Sequence, residues 1–260
     1  MGVFLILSLR LKLFRMVHLV LDIGNTALKA ACFQGRTLLK ASRTAWTSPQ
    51  EIEESLLRMI ALNPSKVLIS SVTGKKKEVD DFLKRAGLEQ DYFNPKTPVP
   101  ISNKYETPET LGRDRLSNAV AATVMFPQLP VVVIDAGTCI KFDFITRNNE
   151  YFGGSISPGI DMRFRALHEF TARLPLLSRA EMVYLIGKNT TESIHSGVIN
   201  GALAEVKGIL EQYQMTHKDL QVIITGGDYT LLERNLKTSV HIEPWLTLKG
   251  LNEILLHQAR

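Results

Sequence analysis

The sequence predicts an α/β protein made of two related halves, on three observations. Residues 17–33 hold an apolar run from Val17 to Leu21, then Asp22, Gly24, Asn25 and Thr26, then a second apolar run from Ala27 to Phe33 broken by Lys29. Residues 130–146 repeat the pattern: Val131 to Ile134, then Asp135-Ala-Gly137-Thr138, then a second strand. The repeat distance is close to half of the 260 residues, and such a period signals duplicated domains. After each strand pair, helical and strand patterns alternate, which marks an α/β chain.

Each strand pair reads as an antiparallel hairpin. In the first, the turn is placed at Gly24-Asn25. Gly24 lets a ligand approach the backbone. Successive N–H groups at Gly24, Asn25 and Thr26 can form a concave nest for an anion. The Thr26 hydroxyl adds a donor, Lys29 can lean back across the hairpin, and Asp22 at the strand end can hold Mg²⁺ directly or through water. The sequence has neither G-x-x-x-x-G-K-[ST] nor G-x-G-x-x-G, so this is a phosphate cradle of another design. Taken alone, the hairpin reads equally well as an ordinary type I′ turn; the second copy favours the cradle.

From Arg36 to Ala45 a third strand follows. Ser48 is an N-cap, with Pro49 at the first helical position and Glu51 at the third. That helix runs to Leu62 with Ile52, Leu56, Met59 and Ile60 on one face, and Asn63-Pro64 stops it. A buried strand (66–72), a helix (75–86) ended by Gly87, a short strand begun at Tyr92-Phe93 and a proline-rich connection (95–100) complete the half. A further helix begins near Gly112, so that Asp114 and Arg115 lie in its first turn. The helix dipole favours the carboxylate there and disfavours the guanidinium, so Arg115 calls for an anionic partner. In the second half, residues 151–157 form a strand, 161–170 a helix, and 191–214 a long helix with Ile194, Val198, Ala202, Val206 and Ile209 at helical spacing. Residues 220–224 form a strand ending in Thr225-Gly226-Gly227-Asp228. A last strand (240–242) and a last helix (249–258) follow.

Composition narrows the class. Hydrophobic residues at 45% and charged residues at 22% are ordinary for a globular protein. The net charge of +5 includes Arg10, Lys12 and Arg15 in an acid-free stretch 1–15, and the remainder shows no basic stripe that would suit nucleic acid. Residues 1–15 read as an arm or a start-site artefact before Met16. Their apolar run is too short to span a bilayer, and no secretory signal pattern is present. Cys32 and Cys139 are expected to be separate thiols in a reducing cytoplasm. The expected division is 1–15, 16–129 and 130–260.

Paired phosphate hairpins resemble the actin, sugar-kinase and heat-shock-chaperone superfamily. That resemblance implies two duplicated ribonuclease-H-like domains with a nucleotide cleft between them. The ordered set Asp22-Ile-Gly-Asn-Thr26, Tyr105, Gly112-Arg113-Asp114-Arg115, Asp135-Ala-Gly-Thr138, Gly153–Gly159, Gly187-Lys-Asn-Thr190, Thr225-Gly-Gly227 and Leu246–Gly250 is similar to type III pantothenate kinase. It covers the chain from residue 17 onward. Cys139 departs from the family's usual alanine, and residues 1–15 have no counterpart.

The resemblance implies transfer of the ATP γ-phosphoryl group to the primary hydroxyl of pantothenate, giving 4'-phosphopantothenate in the first step of coenzyme A synthesis. It implies ATP contacts from Asp22, Ile23, Gly24, Asn25, Thr26, Ala27, Leu28, Lys29 and Thr138, with Mg²⁺ near Asp22. It implies pantothenate contacts from Tyr105, Gly112, Arg113, Asp114, Arg115 and Thr190, with Asp114 as catalytic base. A monovalent cation, K⁺ or NH₄⁺, is implied at Asp135, and a homodimer in which Thr190 serves the partner's site. Some relatives are described as accessory factors for transcription. Loss of Asp114 or of the Gly24–Thr26 nest would favour that role, and both are present.

Overall fold

The computed structural model describes residues 16–71, 76–180, 183–236 and 239–259. The expected N-terminal arm, and the start of the helix read at 75–86, lie outside the described residues. No helix of the described residues is long and apolar enough to cross a membrane.

The first compact unit contains the chain up to Met125, Asn149–Tyr151 and everything from Trp245 on. Its sheet takes the order β3-β2-β1-β4-β5. The strands are β1 (Val17–Ile23), β2 (Ala27–Gln34), β3 (Thr37–Ala45), β4 (Lys66–Ser71) and β5 (Gln90–Tyr92). The first three are antiparallel neighbours, and β4 and β5 run parallel to β1. Leu19, Leu21 and Ile23 of β1, with Leu28, Ala30 and Cys32 of β2, form one face. That face packs against Ile52, Leu56 and Met59 of α1 (Pro49–Ile60) and Val79, Phe82 and Leu83 of α2 (Lys76–Arg85). Ser48 caps α1, its hydroxyl accepting the Glu51 N–H, and Asn63 takes the left-handed conformation just beyond it. The Cys32 thiol donates to the Met59 carbonyl, and burial pushes its pKa up to about 11.

The other face of this sheet carries α3 (Arg113–Met125) and α8 (Leu246–Gln258), which pack on each other. Most of α8 is buried, including Thr247, Asn252 and Glu253. Each of these polar groups is paired, as burial demands. Thr247 Oγ1 donates to Asn118 Oδ1 at 2.8 Å, Arg36 grips Glu253 with two bonds of 2.6 and 2.9 Å, and Asn252 Nδ2 donates to the Gly35 carbonyl. Asn252 Oδ1 accepts from His18 Nδ1 at 3.1 Å.

His18 is 1% exposed, and burial lowers its pKa, helped by nearby Lys66 and opposed by the Asn252 bond. A folded pKa below the unfolded value means that the unfolded chain binds the extra proton first. Stability from this group is therefore whole above the unfolded histidine value of about 6.5 and is lost as the pH falls below it. Thermal melts across pH 5–7.5 are expected to show a Tm that drops on the acid side, with a shallower drop in His18→Asn. Equal slopes in the two proteins would remove His18 as the cause.

The second unit holds Phe126–Asn148 and Phe152–Pro244. Its strands are β7 (Val131–Ala136), β8 (Cys139–Ile145), β9 (Glu150–Pro158), β10 (Gln221–Thr225) and β11 (His241–Ile242), in the order β11-β10-β7-β8-β9. Read from β9, this is the order of the first sheet, so the duplication seen in the sequence is a duplication of topology. The short β6 (Ser102–Asn103) pairs with Glu150 and Tyr151 at the start of β9. Val132, Ile134 and Ala136 face α4 (Ile160–Glu169), α5 (Thr190–His195) and α6 (Gly201–Thr216). Between α5 and α6 the long helix read at 191–214 widens into a π-helical turn, Ser196–Asn200. The helix α7 (Tyr229–Asn235) was not anticipated.

Three expectations are corrected. Tyr92 ends β5 and does not begin it, because the strand pairs with Val67–Ile69 over three residues only. The linear split at 129/130 does not describe the compact units: α8 belongs to the first unit although it follows the second unit's segments in the chain. The hairpin turn also shifts, as described next.

Candidate active site

In the first hairpin, Asp22 stands opposite Lys29 and Ile23 opposite Leu28, so Gly24 faces Ala27 and the corner falls on Asn25-Thr26. The Gly24 N–H donates to the Ala27 carbonyl at 3.1 Å, closing the turn. It is therefore not a member of the anion nest, contrary to the expectation for Gly24. The exposed residues at the turn are Asn25 and Thr26. Neither corner residue takes the positive φ that a type I′ turn requires. The Trp46 indole N–H donates to the Gly24 carbonyl at 2.8 Å, so a residue just beyond β3 fixes this turn. No local pattern marks that role, since Trp46 lies outside every motif.

Asp22 is 8% exposed at the end of β1. Its cross-strand partner Lys29 lies on the same face of the sheet. Ile23 and Leu28 are core residues, and Ala27 is buried.

The N-terminus of α3 brings together a second group. Asp114 is in the first turn. A Cβ on Gly112 would lie 2.6 Å from Asp114 Oδ1, so the glycine leaves the room that the carboxylate occupies. Arg115 is 4% exposed, and its guanidinium lies over the Tyr105 ring at 5.7 Å. Tyr105 in turn packs near the buried ring of Tyr151, with centroids 6.3 Å apart. Arg113 points elsewhere. It donates to the carbonyl of Glu109 at 3.1 Å, with a longer contact to that of Pro108, and stacks near Phe93. Desolvation lowers its pKa. Arg113 thus holds the loop before α3, whereas Arg115 is held over Tyr105.

In the second hairpin, Thr138 is exposed at the corner. Asp135 stands opposite Lys141, and Lys141 Nζ lies 2.7 Å from Asp135 Oδ2. The Asp135 carboxylate, where the resemblance implies a monovalent cation, thus already has a cationic side chain beside it. The signal was present in the sequence, because a two-residue period across a hairpin places residues 135 and 141 on one face, as it does 22 and 29.

Two glycine loops brace this hairpin. Gly226 has φ +93°, and a Cβ there would lie 2.1 Å from the Ala136 carbonyl oxygen and 2.6 Å from Asp135 Oδ1. Gly159 N–H donates to the Thr138 carbonyl. The Thr225–Asp228 segment is a packing element: Asp228 N–H donates to the Ala136 carbonyl, and its carboxylate takes Arg179, which also pairs with Asp161. Those two carboxylates hold the Arg179 pKa above its ordinary value.

Thr190 is exposed at the start of α5, behind the cap made by Asn189 and Glu192. Among the described residues no group of three or more His, Cys, Asp or Glu could hold a metal.

A carboxylate-ended hairpin, present in each of two mixed sheets of one topology, places the protein in a class: the actin-like ATPase and sugar-kinase fold with two ribonuclease-H-like units. Solved structures agree on the fold. A conserved Baf family protein from Campylobacter jejuni has a TM-score of 0.58 at 21% identity, covering 92% of this chain and 98% of that one. Component A of (R)-2-hydroxyglutaryl-CoA dehydratase from Acidaminococcus fermentans has a TM-score of 0.53 at 16% identity, covering 94% and 99%.

The family is narrower. The family model for type III pantothenate kinase matches residues 18–212. A type III pantothenate kinase from Christiangramia forsetii is 40% identical over 241 residues, which is 92% of this chain and 98% of that protein. The chain belongs to the type III pantothenate kinase family. It is a phosphotransferase of coenzyme A biosynthesis, and kinases of this kind use ATP with a divalent metal.

Proposed function

We propose that the chain phosphorylates pantothenate from ATP with Asp114 and Arg115 as its acceptor-side machinery. The observation that carries this reading is the start of α3, where Gly112 makes room for the Asp114 carboxylate and Arg115 is held over Tyr105. Phosphoryl transfer asks for positioning and charge neutralisation more than for covalent help. Asp114 accepts the hydroxyl proton. Arg115 grips the pantothenate carboxylate through two parallel hydrogen bonds, and Tyr105 fixes the plane of its guanidinium. Phosphate oxygens are met in the first unit by the Asn25 and Thr26 N–H groups, the Thr26 hydroxyl and Lys29, and in the second by the Thr138 hydroxyl.

Mg²⁺ is the divalent ion proposed. It keeps several waters and takes phosphate oxygens, so it needs only one or two protein carboxylates, and Asp22 is a fitting donor. Bound there, Mg²⁺ would neutralise phosphate charge. K⁺ or NH₄⁺ at Asp135 does not fit in the same way. The Lys141 ammonium already lies on that carboxylate, and a second unit charge about 4 Å away costs about 4 kcal/mol at an effective dielectric constant of about 20.

Thr190 is proposed to complete the pantothenate pocket of a partner subunit in a homodimer, which its exposed place at the start of α5 permits. Two free cysteines suit a cytoplasmic setting. One coupled assay tests the whole reading. ADP release is expected to require both ATP and pantothenate. A mixture of inactive Thr190→Ala and Asp114→Asn chains is expected to regain part of the activity, because one site of each heterodimer is intact. ADP release indifferent to pantothenate would reject the reaction, and no regain despite measured subunit exchange would reject the shared pocket.

A further inference from the structure

We infer that Lys141 supplies from within the chain the single positive charge that a bound monovalent cation would place at Asp135, so that catalysis runs without K⁺ or NH₄⁺. The inference rests on the kinase reading above. Four observations support it. Lys141 Nζ lies 2.7 Å from Asp135 Oδ2, an ion-pair distance. The two side chains are only 16% and 10% exposed, so this is a sheltered pair and not a surface contact. The register of β7 and β8 puts the two residues directly opposite each other, so the backbone fixes the pairing. The other oxygen, Oδ1, lies beside the backbone at Gly226, where an added Cβ would come within 2.6 Å of it.

An ε-ammonium is a compact point charge with three donors. It has the charge and the hydrogen-bonding character of NH₄⁺, and its alkyl stem anchors it in the sheet. One of its contacts is the Asp135 carboxylate, which holds the charge at the second hairpin. The first hairpin repeats the arrangement, with Lys29 opposite Asp22. Each unit therefore carries its own lysine beside the carboxylate that ends its first strand.

The test compares rates of pantothenate-dependent ADP release at constant ionic strength in KCl, NH₄Cl, NaCl and tetramethylammonium chloride, whose ion is too large for a cation site. Wild-type rates are expected to be equal in all four. Lys141→Met removes the charge while keeping an unbranched chain. It is expected to lose about 10²-fold in tetramethylammonium, the usual effect of deleting one charge-stabilising group, and to regain rate in NH₄⁺ or K⁺. Its Tm is expected to rise in KCl relative to tetramethylammonium, while the wild-type Tm does not. A wild-type rate that collapses when K⁺ and NH₄⁺ are withdrawn would overturn the inference, and so would Lys141→Met at wild-type rate in tetramethylammonium. Absence of pantothenate-dependent turnover in every salt would instead reject the kinase reading on which it stands.

Discussion

Asp114→Asn is expected to lower kcat by about 10²–10⁴-fold while the affinity for ATP stays near that of the wild type. That loss corresponds to roughly 3–5 kcal/mol of transition-state stabilisation at about 1.4 kcal/mol per tenfold. Asparagine keeps the size of the side chain and its fit beside Gly112, so the fold is not disturbed. What it loses is the capacity to take a proton. Asp114 stands in the first turn of α3, next in sequence to an arginine held over a tyrosine ring. In the proposed arrangement Arg115 anchors the acceptor's carboxylate and Asp114 meets the hydroxyl. The proposed ATP contacts lie on the hairpins, which is why nucleotide affinity should not move. Purified mutant and wild type are compared for kcat and for nucleotide binding by calorimetry. A kcat within about threefold of wild type would leave Asp114 a positioning role only, since a true general base contributes far more.

Gly250→Ala is expected to be strongly destabilising for a single added methyl group. Gly250 lies in α8 where that helix crosses α3, and a Cβ there would sit 1.9 Å from the Ser117 carbonyl oxygen and 2.5 Å from its carbon. Those atoms are backbone, so no rotamer change relieves the clash and the helices must separate. Overpacking of this kind costs about 1–3 kcal/mol and at times more. The neighbours that would move include the Thr247–Asn118 bond, which a wider crossing would stretch. Gly208→Ala in α6 is the matched control: nothing lies within 4 Å of a Cβ there, and alanine is the better helix former by about 0.8–1 kcal/mol. Thermal melts should therefore move in opposite directions for the two variants. A Gly250→Ala protein that melts with the wild type would show that the crossing is looser than its geometry.

How much of this was legible in the sequence depended on whether the signal was local. Both hairpins could be read because apolar strand runs and turn residues sit next to each other in the chain. The start of α3 could be read for the same reason, and Asp114 stands in its first turn as expected. Contacts between distant segments could not be read. Trp46 bonds to a carbonyl 22 positions back, and no residue near it announces this. The glycine at 250 was legible only as part of a family motif, whereas in the fold it is a contact between helices. The Asp135–Lys141 pair is an intermediate case. Strand alternation and the hairpin register imply it, yet the Gly-Thr turn drew the reading toward phosphate and away from the residue across the ladder. The turn corner moved from Gly24-Asn25 to Asn25-Thr26 because pairing runs on to Gly24 and Ala27, a matter of one residue that composition does not decide.

The place of α8 sets an order of events during synthesis. Strands β1 to β5 and helices α1 and α2 leave the ribosome first, yet the face of the sheet that holds His18 waits for Asn252, and Arg36 waits for Glu253. Until then β1 presents a bare side to the cell, with a histidine that has not yet met its partner. The second unit has all of its own strands by Ile242 and can close before the first is finished. The half translated first is thus completed by a helix that follows the other half in the chain.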